Sequence, residues 1–343
     1  MNLLIITQKV DQNDAILGFF IKWLERLAQD FEKVVVITSL KASYQLPANV
    51  EVHSLGKESG KGKFSRRFRF YQLVKKLLPQ VDTVLAHMCP EYIVALKPLN
   101  RKLKKPLFLW YTHKAVSKYL VKAEKIVEKI FTASKESCRV ESDKIVVTGH
   151  GIDLDYFKPG QKEVRDYFEV ISVGRIAPVK NLEVLIEAVS QLDSEVKQKV
   201  RVKLIGEPLL VQDQRYLKDI KLKTKNLKLD GIVEFIGPVP YGKILPYYQK
   251  ADLFINLSKT GSIDKAVLEA MACNVPVLTS NEAFKELLPE KYLVKEGDSQ
   301  MLAKKVTEFC ASQHTENLRS LVEANHSLDS LINKIVNEIQ KFL

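Results

Sequence analysis

Two cations lie close together after a short apolar run in the second half of the chain. Arg175 and Lys180 belong to the segment Gly174–Lys180, which directly follows the β-branched run Glu169–Val173. Asn181 then precedes apolar residues at helical spacing, so it is placed to cap a helix. Cations beside a helix N-terminus can bind a diphosphate and stabilise its charge as it leaves. Surface arginines and lysines are common in this chain, so the pair alone does not establish a site.

A second anion site is predicted where small residues follow the strand-like run Leu253–Asn256. Ser262 or Asp264 can cap a helix from about Asp264 to Cys273, and Asn274 can take the left-handed turn that ends it. The N–H groups of the loop and the helix N-terminus together would bind an anion. We assign to donor binding, meaning the binding of a diphosphate-containing ligand at these two anion sites, the residues Gly174, Gly261, Ser262, Asp264, Lys265, Ala266 and Val267.

Glu269 lies about one turn further into the same predicted helix. A carboxylate at this position can accept hydrogen bonds from both hydroxyls of a ribose. The alternative is a glutamate on a solvated helix face, which the apolar neighbours Leu268, Ala270 and Met271 disfavour.

The elements that must position these residues are short strands alternating with helical patterns. Such alternation indicates parallel sheets with helices on both faces, and two sheets of six or seven strands fit two domains. We predict a break near residues 158–162, where Pro and Gly interrupt a polar stretch. The predicted strands are Leu3–Ile6, Val34–Thr38, Val50–His53, Thr83–Ala86, Leu107–Tyr111, Lys129–Thr132, Ile145–Thr148, Glu169–Val173, Val200–Ile205, Val233–Ile236, Leu253–Asn256, Val275–Leu278 and Tyr292–Val294.

Ligands of doubly wound domains bind at the carboxyl ends of the strands, which draws attention to two histidines. His113 follows the predicted strand Leu107–Tyr111, and His87 follows Thr83–Ala86. Each is either a cleft residue or a partly buried histidine bonded to a backbone carbonyl. The glycine pattern of dinucleotide-binding turns is missing after both opening strands, which disfavours a dehydrogenase.

The composition is that of a globular protein with reduced thiols. The chain has 343 residues, 46% hydrophobic and 27% charged. Residues 1–7 are apolar for too short a run to be a signal peptide, and no apolar run has the length of a bilayer span. The four cysteines form no C-x-x-C pair, so we expect a cytoplasmic protein.

The formal net charge of +12 is concentrated in the first half. Residues 57–76 hold eight Lys or Arg and a single acid, Glu58, with aromatic residues between them, and residues 97–105 hold five cations and no acid. Such stretches can bind anionic lipid, nucleic acid or an acidic substrate. They can equally be solvated helix faces whose aromatic side chains point into the core.

Four segments in order resemble the retaining GT-B glycosyltransferases, a family with two Rossmann-like domains facing across a cleft. They are His150–Pro159, Gly174–Lys180, Phe235–Pro240 and Leu268–Val277. The order and spacing agree across essentially the whole chain. The resemblance implies an N-terminal acceptor domain, residues 1–160 completed by a last helix at about 326–343, and a donor domain, residues 165–325.

The resemblance also implies roles for individual residues. Arg175 and Lys180 match the pair that binds the donor diphosphate, Glu269 matches the glutamate that holds the ribose, and His113 matches a histidine near the transferred sugar; these four form the expected catalytic set. Gly237, Pro238 and Val239 match the turn whose backbone meets the nucleobase. No metal and no cofactor is expected, because cations and helix dipoles take the place of Mg²⁺.

Two departures from the family pattern bear on sugar and acceptor recognition. Gly261 occupies the position of a glutamate that usually touches the transferred sugar, and Asp264 could supply the missing carboxylate while Lys265 approaches the phosphates. The glycine pair of the first domain's opening loop is reduced to Gly18. We assign Gly18 and His87 to the acceptor region.

The resulting expectation is a hexosyltransferase that uses a nucleoside-diphosphate sugar, UDP rather than GDP, without a metal and with retention of configuration. The acceptor would be a saccharide or a lipid-linked glycan for the cell surface, met at the inner face of the membrane through residues 57–76 and 97–105. A non-catalytic nucleotide-sugar-binding subunit, a UDP-sugar epimerase and, from charge alone, a nucleic-acid binder are the alternatives. Of these, nucleic-acid binding is the one that we do not expect.

Overall fold

The computed structural model describes residues 1–162, 164–312 and 316–343, which divide into two compact units. The first unit comprises Met1–Asp153, Pro240–Gly242 and His326–Leu343, and the second comprises Leu154–Val239 and Lys243–Asn325. The predicted break at residues 158–162 falls inside the second unit. There Lys162 donates to the Ala251 carbonyl at 2.8 Å, so this stretch is fixed to the second unit.

The first unit is built on a parallel sheet of seven strands in the order β3-β2-β1-β4-β5-β6-β7. The strands are β1 Asn2–Val10, β2 Lys33–Lys41, β3 Val50–Ser54, β4 Thr83–His87, β5 Leu107–Trp110, β6 Lys129–Thr132 and β7 Ile145–Val147. Its helices are α1 Phe20–Asp30, α2 Lys63–Leu77, α3 Pro90–Leu103, α4 Lys118–Glu124 and, from the end of the chain, α12 Leu328–Gln340. Runs such as Val34–Ile37 are buried on both faces because helices cover both sides of the sheet.

The second unit is built on a parallel sheet of five strands in the order β10-β9-β8-β11-β12. The strands are β8 Phe168–Val173, β9 Val200–Ile205, β10 Val233–Gly237, β11 Leu253–Asn256 and β12 Val277–Thr279. The helices are α5 Leu182–Ser190, α6 Ser194–Lys199, α7 Val211–Asn226, α8 Leu245–Lys250, α9 Lys265–Ala272, α10 Ser299–Ala311 and α11 Arg319–His326. Two doubly wound parallel sheets confirm the predicted fold class.

Twelve of the thirteen predicted strands are present, and the thirteenth, Tyr292–Val294, was wrong. Glu290–Tyr292 forms a short 3₁₀ turn instead, and Leu293 makes a single bridge to Thr279. The apolar run has a different use, because the Tyr292 ring packs 5.9 Å from that of Phe309 and its hydroxyl donates to Glu316 at 2.7 Å. Pro289 precedes this run, and the 3₁₀ turn at Glu290–Tyr292 leaves only Leu293 beside Thr279.

The last helix, α12, packs against α1 within the first unit. Its apolar residues recur at helical spacing and are buried: Leu328, Leu331, Ile332, Ile335, Val336 and Ile339. Ser327 caps the helix by accepting the Ser330 N–H at 3.2 Å. An ion pair joins Arg26 on α1 to Asp329 on α12. Helix α12 therefore belongs to the core of the first unit together with α1, although the two helices are far apart in sequence.

His87, at the end of β4, lies in the core of the first unit rather than on an acceptor surface. Its side chain is 1% exposed and stacks against Phe20, with ring centroids 4.2 Å apart, and against Trp110 at 5.2 Å. Its Nδ1 lies 3.1 Å from the Thr7 hydroxyl. Burial, aided by nearby His150, lowers the pKa of His87 to about 3. This burial argues against the acceptor contact assigned to His87.

The lowered pKa of His87 makes stability depend on pH. A histidine in the unfolded chain titrates near 6.5, so below that pH the unfolded state binds more protons and stability falls toward the folded pKa of about 3. Between pH 7 and pH 5, the free energy of unfolding of wild type should fall by about 2 kcal/mol more than that of His87→Phe, which cannot titrate at this position. Denaturant unfolding at both pH values measures this difference, with the exposed His113→Gln as control. Equal losses in wild type and His87→Phe would contradict it.

Candidate functional site

The second sheet has its topological switch point between β8 and β11, because the chain leaves β8 in one direction along the sheet and β11 in the other. The loops after two such strands diverge and leave a crevice at their carboxyl ends, where ligands of doubly wound sheets bind. These loops are 174–181 and 257–264, and they contain Arg175 and Lys180 together with Gly174, Gly261, Ser262 and Asp264 of the predicted donor residues. Both loops contribute to one pocket, which includes Gly174, Arg175, Lys180, Asn256 and Leu257.

An ion pair between Lys180 and Asp264 joins the two loops. The ammonium nitrogen lies 2.7 Å from a carboxylate oxygen, and both side chains are largely buried. Asn256, at the end of β11, donates to the same oxygen at 3.0 Å. Burial alone would raise the pKa of Asp264, but Lys180 and hydrogen bonds from Asn256 and Ser258 outweigh it and lower the pKa. Asp264 is therefore ionised at neutral pH.

The backbone of the two loops is also linked. The Lys259 N–H donates to the Val179 carbonyl at 2.9 Å. Asn281, beyond β12, donates from its amide to the Ser262 carbonyl at 2.8 Å and so supports the turn around Gly261. Gly261 is buried and has a φ of 59°, the left-handed region that glycine adopts at little cost.

Arg175 is the second cation of the pocket. Its Nε lies 3.8 Å from Asp213 on α7, and the Arg175 side chain is 35% exposed while that of Asp213 is 1% exposed. The buried carboxylate thus holds the guanidinium near the carboxyl end of β8 and leaves much of it open to solvent. A guanidinium that is held in place by a carboxylate and is still partly exposed is suited to bidentate binding of a phosphate.

The start of α5 differs from the expectation in how it is capped. Residues Pro178–Lys180 form a 3₁₀ turn, and Asn181 adopts a left-handed conformation at the N-cap without capping through its side chain. The Tyr216 hydroxyl accepts the Leu182 N–H instead, at 2.8 Å. The tight turn directs Lys180 toward Asp264, and Tyr216 on α7 provides the hydrogen-bond acceptor for the first N–H of α5.

The helix α9 begins at Lys265, and Asp264 is its N-cap residue, but the predicted side-chain cap is absent because the carboxylate pairs with Lys180. Ala266 and Val267 follow in the first turn, where the Val267 N–H donates to the Asp264 carbonyl at 3.1 Å. Asn274 ends this element with a φ of 55°, as predicted.

Glu269 and Lys265 form an ion pair one turn apart on α9. The second carboxylate oxygen of Glu269 accepts the Tyr248 hydroxyl at 2.8 Å, and Glu269 is 5% exposed. The Lys265 ammonium also lies 5.7 Å from the ring centroid of Phe157. The charge of Lys265 is directed to Glu269 in this arrangement, and its approach to phosphates stays a prediction. A ribose could reach Glu269 only if Lys265 or Tyr248 moved.

Three glycines form the carboxyl edge of β8, β9 and β10. The Gly174 N–H donates to the Ile205 carbonyl at 3.0 Å, and the Gly206 N–H donates to the Gly237 carbonyl at 2.9 Å. All three have positive φ, 145° at Gly174, 143° at Gly206 and 83° at Gly237. Gly237 leads into Pro238 and Val239, the predicted nucleobase turn, which therefore lies two strands from Arg175 on the same edge.

The remaining predicted site residues lie in the first unit. His113 is exposed after β5, and its Nδ1 accepts the Ala115 N–H at 3.0 Å, which leaves Nε2 for a ligand. Gly18 precedes α1 at a close approach, since a Cβ there would lie 2.5 Å from the Asp14 carbonyl and 2.8 Å from Cβ of Tyr241.

Five residues that shape the site were not predicted from the sequence: Asp213, Gly206, Tyr248, Asn256 and Asn281. Gly206 and Asn256 stand at the carboxyl ends of predicted strands, and this position was a signal for both. Asp213, Tyr248 and Asn281 act through partners distant in sequence, so the sequence carried no local signal for them. Across residues 1–162, 164–312 and 316–343, no group of three His, Cys, Asp or Glu side chains could hold a metal ion.

Comparison with known proteins gives a match to the family model described as glycosyl transferases group 1, over residues 155–327. The chain is 30% identical over 193 residues to the putative colanic acid biosynthesis glycosyltransferase WcaL of Escherichia coli (strain K12), covering 53% of this chain and 45% of that protein. It is 27% identical over 150 residues to D-inositol 3-phosphate glycosyltransferase 2 of Catenulispora acidiphila, covering 40% and 34%. The chain thus spans less than half the length of these relatives.

Solved structures resemble the chain over nearly its whole length. Anabaena Alr3699/HepE in complex with UDP and glucose superposes with a TM-score of 0.75 at 17% identity, covering 98% of this chain and 99% of that one. WaaG, a glycosyltransferase involved in lipopolysaccharide biosynthesis, gives a TM-score of 0.70 at 15% identity, with 98% and 99% covered. At these identities the likeness shows the fold, and it confirms the predicted GT-B class.

The close approach at Gly206 yields a stability prediction. A Cβ at this position would lie 1.9 Å from the Gly174 carbonyl oxygen, in a backbone conformation that other residues rarely adopt. We expect Gly206→Ala to destabilise the protein by roughly 3 kcal/mol or more, because the β8 and β9 ends must separate. Thermal unfolding measures this cost. Gly231→Ala is the control, since its Cβ would meet nothing within 4 Å. Similar stability of the two variants would contradict the prediction.

Proposed function

Because this chain belongs to the glycosyl transferases group 1 family, we propose that it transfers a hexose from a nucleoside-diphosphate sugar to an acceptor, with the donor bound by the second unit. One observation carries the proposal: Arg175 and Lys180 meet the loop 257–264 in one pocket at the switch point of the second sheet. A pocket with two cations at parallel strand ends is suited to a diphosphate.

The donor is UDP-linked in this proposal. Its diphosphate lies against Arg175 and Lys180, its nucleobase meets the backbone of Gly237–Val239, and its ribose reaches Glu269 after Lys265 or Tyr248 moves. Support for UDP comes from the structural relative that binds UDP and glucose, while GDP is the nearest alternative. The cations and the loop N–H groups neutralise the departing diphosphate, so the reaction proceeds without a metal and without a cofactor.

The transfer retains configuration at the sugar carbon. The departing phosphate oxygen takes the proton of the acceptor hydroxyl on the face that it leaves, while Arg175 and Lys180 stabilise the charge that develops on the diphosphate. His113, with Nε2 open, positions the transferred sugar. Asp264 supplies the carboxylate that Gly261 lacks, because its charge is held against Lys180, which lines the pocket.

The acceptor is a saccharide or a lipid-linked glycan of the cell surface, consistent with relatives that act in colanic acid and lipopolysaccharide biosynthesis. It binds near Gly18 and His113 in the first unit. In the part of the chain that the structure describes, no helix is long and apolar enough to cross a membrane. We place the enzyme in the cytoplasm at the inner membrane face, where residues 57–76 and 97–105 meet the lipid.

A second candidate is a subunit that binds a nucleotide sugar without transferring it. Gly261 favours it, because a left-handed glycine stands where a carboxylate toward the sugar is expected. Binding of a donor with no release of nucleoside diphosphate on any acceptor or on water would support this candidate over the transferase.

Titration calorimetry with UDP, GDP and their hexose conjugates tests the donor site. We expect one diphosphate to bind at micromolar concentration and Arg175→Ala to weaken it by roughly 10- to 100-fold, because a charge-assisted bidentate contact is lost. Arg201→Ala is the matched control, since Arg201 lies at the amino end of β9 and donates to the Gln198 carbonyl. No binding of any diphosphate by wild type, or equal binding by Arg175→Ala, would contradict the donor site.

The role of Asp264 is tested by comparing UDP with the UDP-sugar. If its carboxylate binds sugar hydroxyls, we expect Asp264→Asn to keep or improve affinity for UDP, because a negative charge is removed near the phosphates. The additional affinity for the UDP-sugar should fall by about tenfold. Asp230→Asn, an exposed acid of the same unit, is the control. An unchanged ratio of UDP-sugar to UDP affinity in Asp264→Asn would exclude this role.

A further inference from the structure

The helix α2 exposes two phenylalanines one helical turn apart. Phe64 is 91% exposed and Phe68 is 66% exposed, whereas Phe70 and Val74 of the same helix are in the core. Residues four apart lie on the same helix face, so the two exposed rings are neighbours. The sequence left open whether the aromatic residues of 57–76 point inward, and the structure shows that these two do not. Neighbouring exposed phenylalanines on a helix indicate a surface with a partner.

Cations surround these rings. We call the exposed residues Lys61, Lys63, Phe64, Arg67 and Phe68 the α2 face. Lys75, two turns further along, is exposed as well. The single acid in residues 57–76, Glu58, accepts hydrogen bonds from the Ser54 hydroxyl at 2.8 Å and from the Lys41 N–H at 3.3 Å. Its charge is therefore committed to the fold beside β3, and the α2 face itself carries only positive charge.

The adjacent helix α3 extends this positive surface. α2 and α3 pack against each other and share one hydrophobic core. Lys97, Arg101, Lys102 and Lys104 are exposed there, and Leu103 is 40% exposed among them. No acid occurs in residues 97–105. Two packed helices thus combine outward apolar side chains with a local excess of cations in the sequence.

We propose that the α2 face docks on an anionic phospholipid bilayer, with Phe64 and Phe68 inserted at the interface and the cations against lipid phosphates. Phenylalanines on a basic helix gain by leaving water, and each cation near a negatively charged leaflet adds attraction. The negative lipid headgroups match the cations of the α2 face, and the apolar interior of the bilayer matches its phenylalanines. The sequence carries no recognised nucleic-acid-binding motif, and the outward apolar side chains include Leu103, which cannot stack on a base, so lipid is favoured over nucleic acid.

This docking deepens the proposed function and rests on it for its purpose. The helix α2 follows β3, so its first turns lie at the carboxyl edge of the first sheet, the edge at which His113 follows β5. A bilayer under Phe64 and Phe68 would therefore lie at the edge where the acceptor is proposed to bind. Lipid-linked acceptors would reach the site without leaving the membrane.

Vesicle co-sedimentation tests the docking. Vesicles of phosphatidylcholine alone are compared with vesicles that also contain phosphatidylglycerol. We expect wild type to bind the anionic vesicles, with binding weakened by salt, and Phe64→Ser/Phe68→Ser to lower the partition coefficient by about tenfold for each phenylalanine. Lys63→Gln/Arg67→Gln should lower it by roughly fivefold for each cation. Leu222→Ser is the matched control, because Leu222 is 59% exposed between Lys221 and Lys223 on α7 of the second unit.

The outcomes separate this proposal from the proposed function. Wild type that binds UDP but not anionic vesicles would overturn the docking and leave the donor site standing. Vesicle binding without nucleotide binding would support the docking and count against the transferase. Equal partition of wild type and Phe64→Ser/Phe68→Ser, or tighter binding to a single-stranded oligonucleotide than to anionic vesicles, would also overturn it. The two phenylalanine substitutions are at exposed positions, so we expect UDP affinity and thermal stability to be unchanged.

Discussion

The ion pair between Lys180 and Asp264 is the interaction on which the arrangement of the second unit's site depends. It joins loops that diverge from β8 and β11, and the two residues are 84 positions apart in sequence. Both side chains are largely buried, so either charge alone would be costly to keep out of water. Each therefore holds the other at the switch point. In the proposed donor site, a diphosphate would meet a lysine that is already placed, and it would share that charge with Asp264.

This interaction in turn requires the glycines at the carboxyl ends of the strands. Lys180 reaches the pocket because the chain turns sharply after β8, and the Gly174 carbonyl lies where a Cβ on Gly206 would stand. A side chain at Gly206 would push β8 and β9 apart at the edge from which the loops begin. The glycines thus set the backbone spacing at this edge, and the charged side chains of the loops depend on that spacing for their positions.

Most of the fold could be predicted because both sheets are parallel and buried on both faces, which gives short β-branched runs that the sequence displays directly. The exception, Tyr292–Val294, shows the limit of this reasoning. An apolar run of three residues satisfies a strand pattern and a packed turn equally well, and here the aromatic contact with Phe309 decides between them. His87 shows a similar limit, because its position after β4 was readable and its stacking against Phe20 was not.

The site could be predicted in its positions but not in its pairings. Sequence position placed Arg175, Lys180, Asp264 and Glu269 at one edge of a sheet, since parallel strands end together. It could not tell that Asp264 would pair with Lys180 instead of capping α9, or that Tyr248 and Lys265 would occupy both oxygens of Glu269. Whether such pairs form depends on small differences in the positions of segments that are distant in sequence.

Gly261 shows how a departure from a family pattern can be absorbed by its surroundings. The turn around it has left-handed backbone, and Asn281 supports it through the Ser262 carbonyl, so the loop keeps its shape without a side chain at 261. Three residues later, Asp264 carries a negative charge that is fixed by Lys180 and Asn256, two residues that line the pocket. The loop thus has a carboxylate three residues further along, at a residue that also orients Lys180. In the proposed donor site, the carboxylate of this ion pair would serve sugar recognition and its lysine would serve diphosphate binding, so the two functions would meet at one pair of side chains.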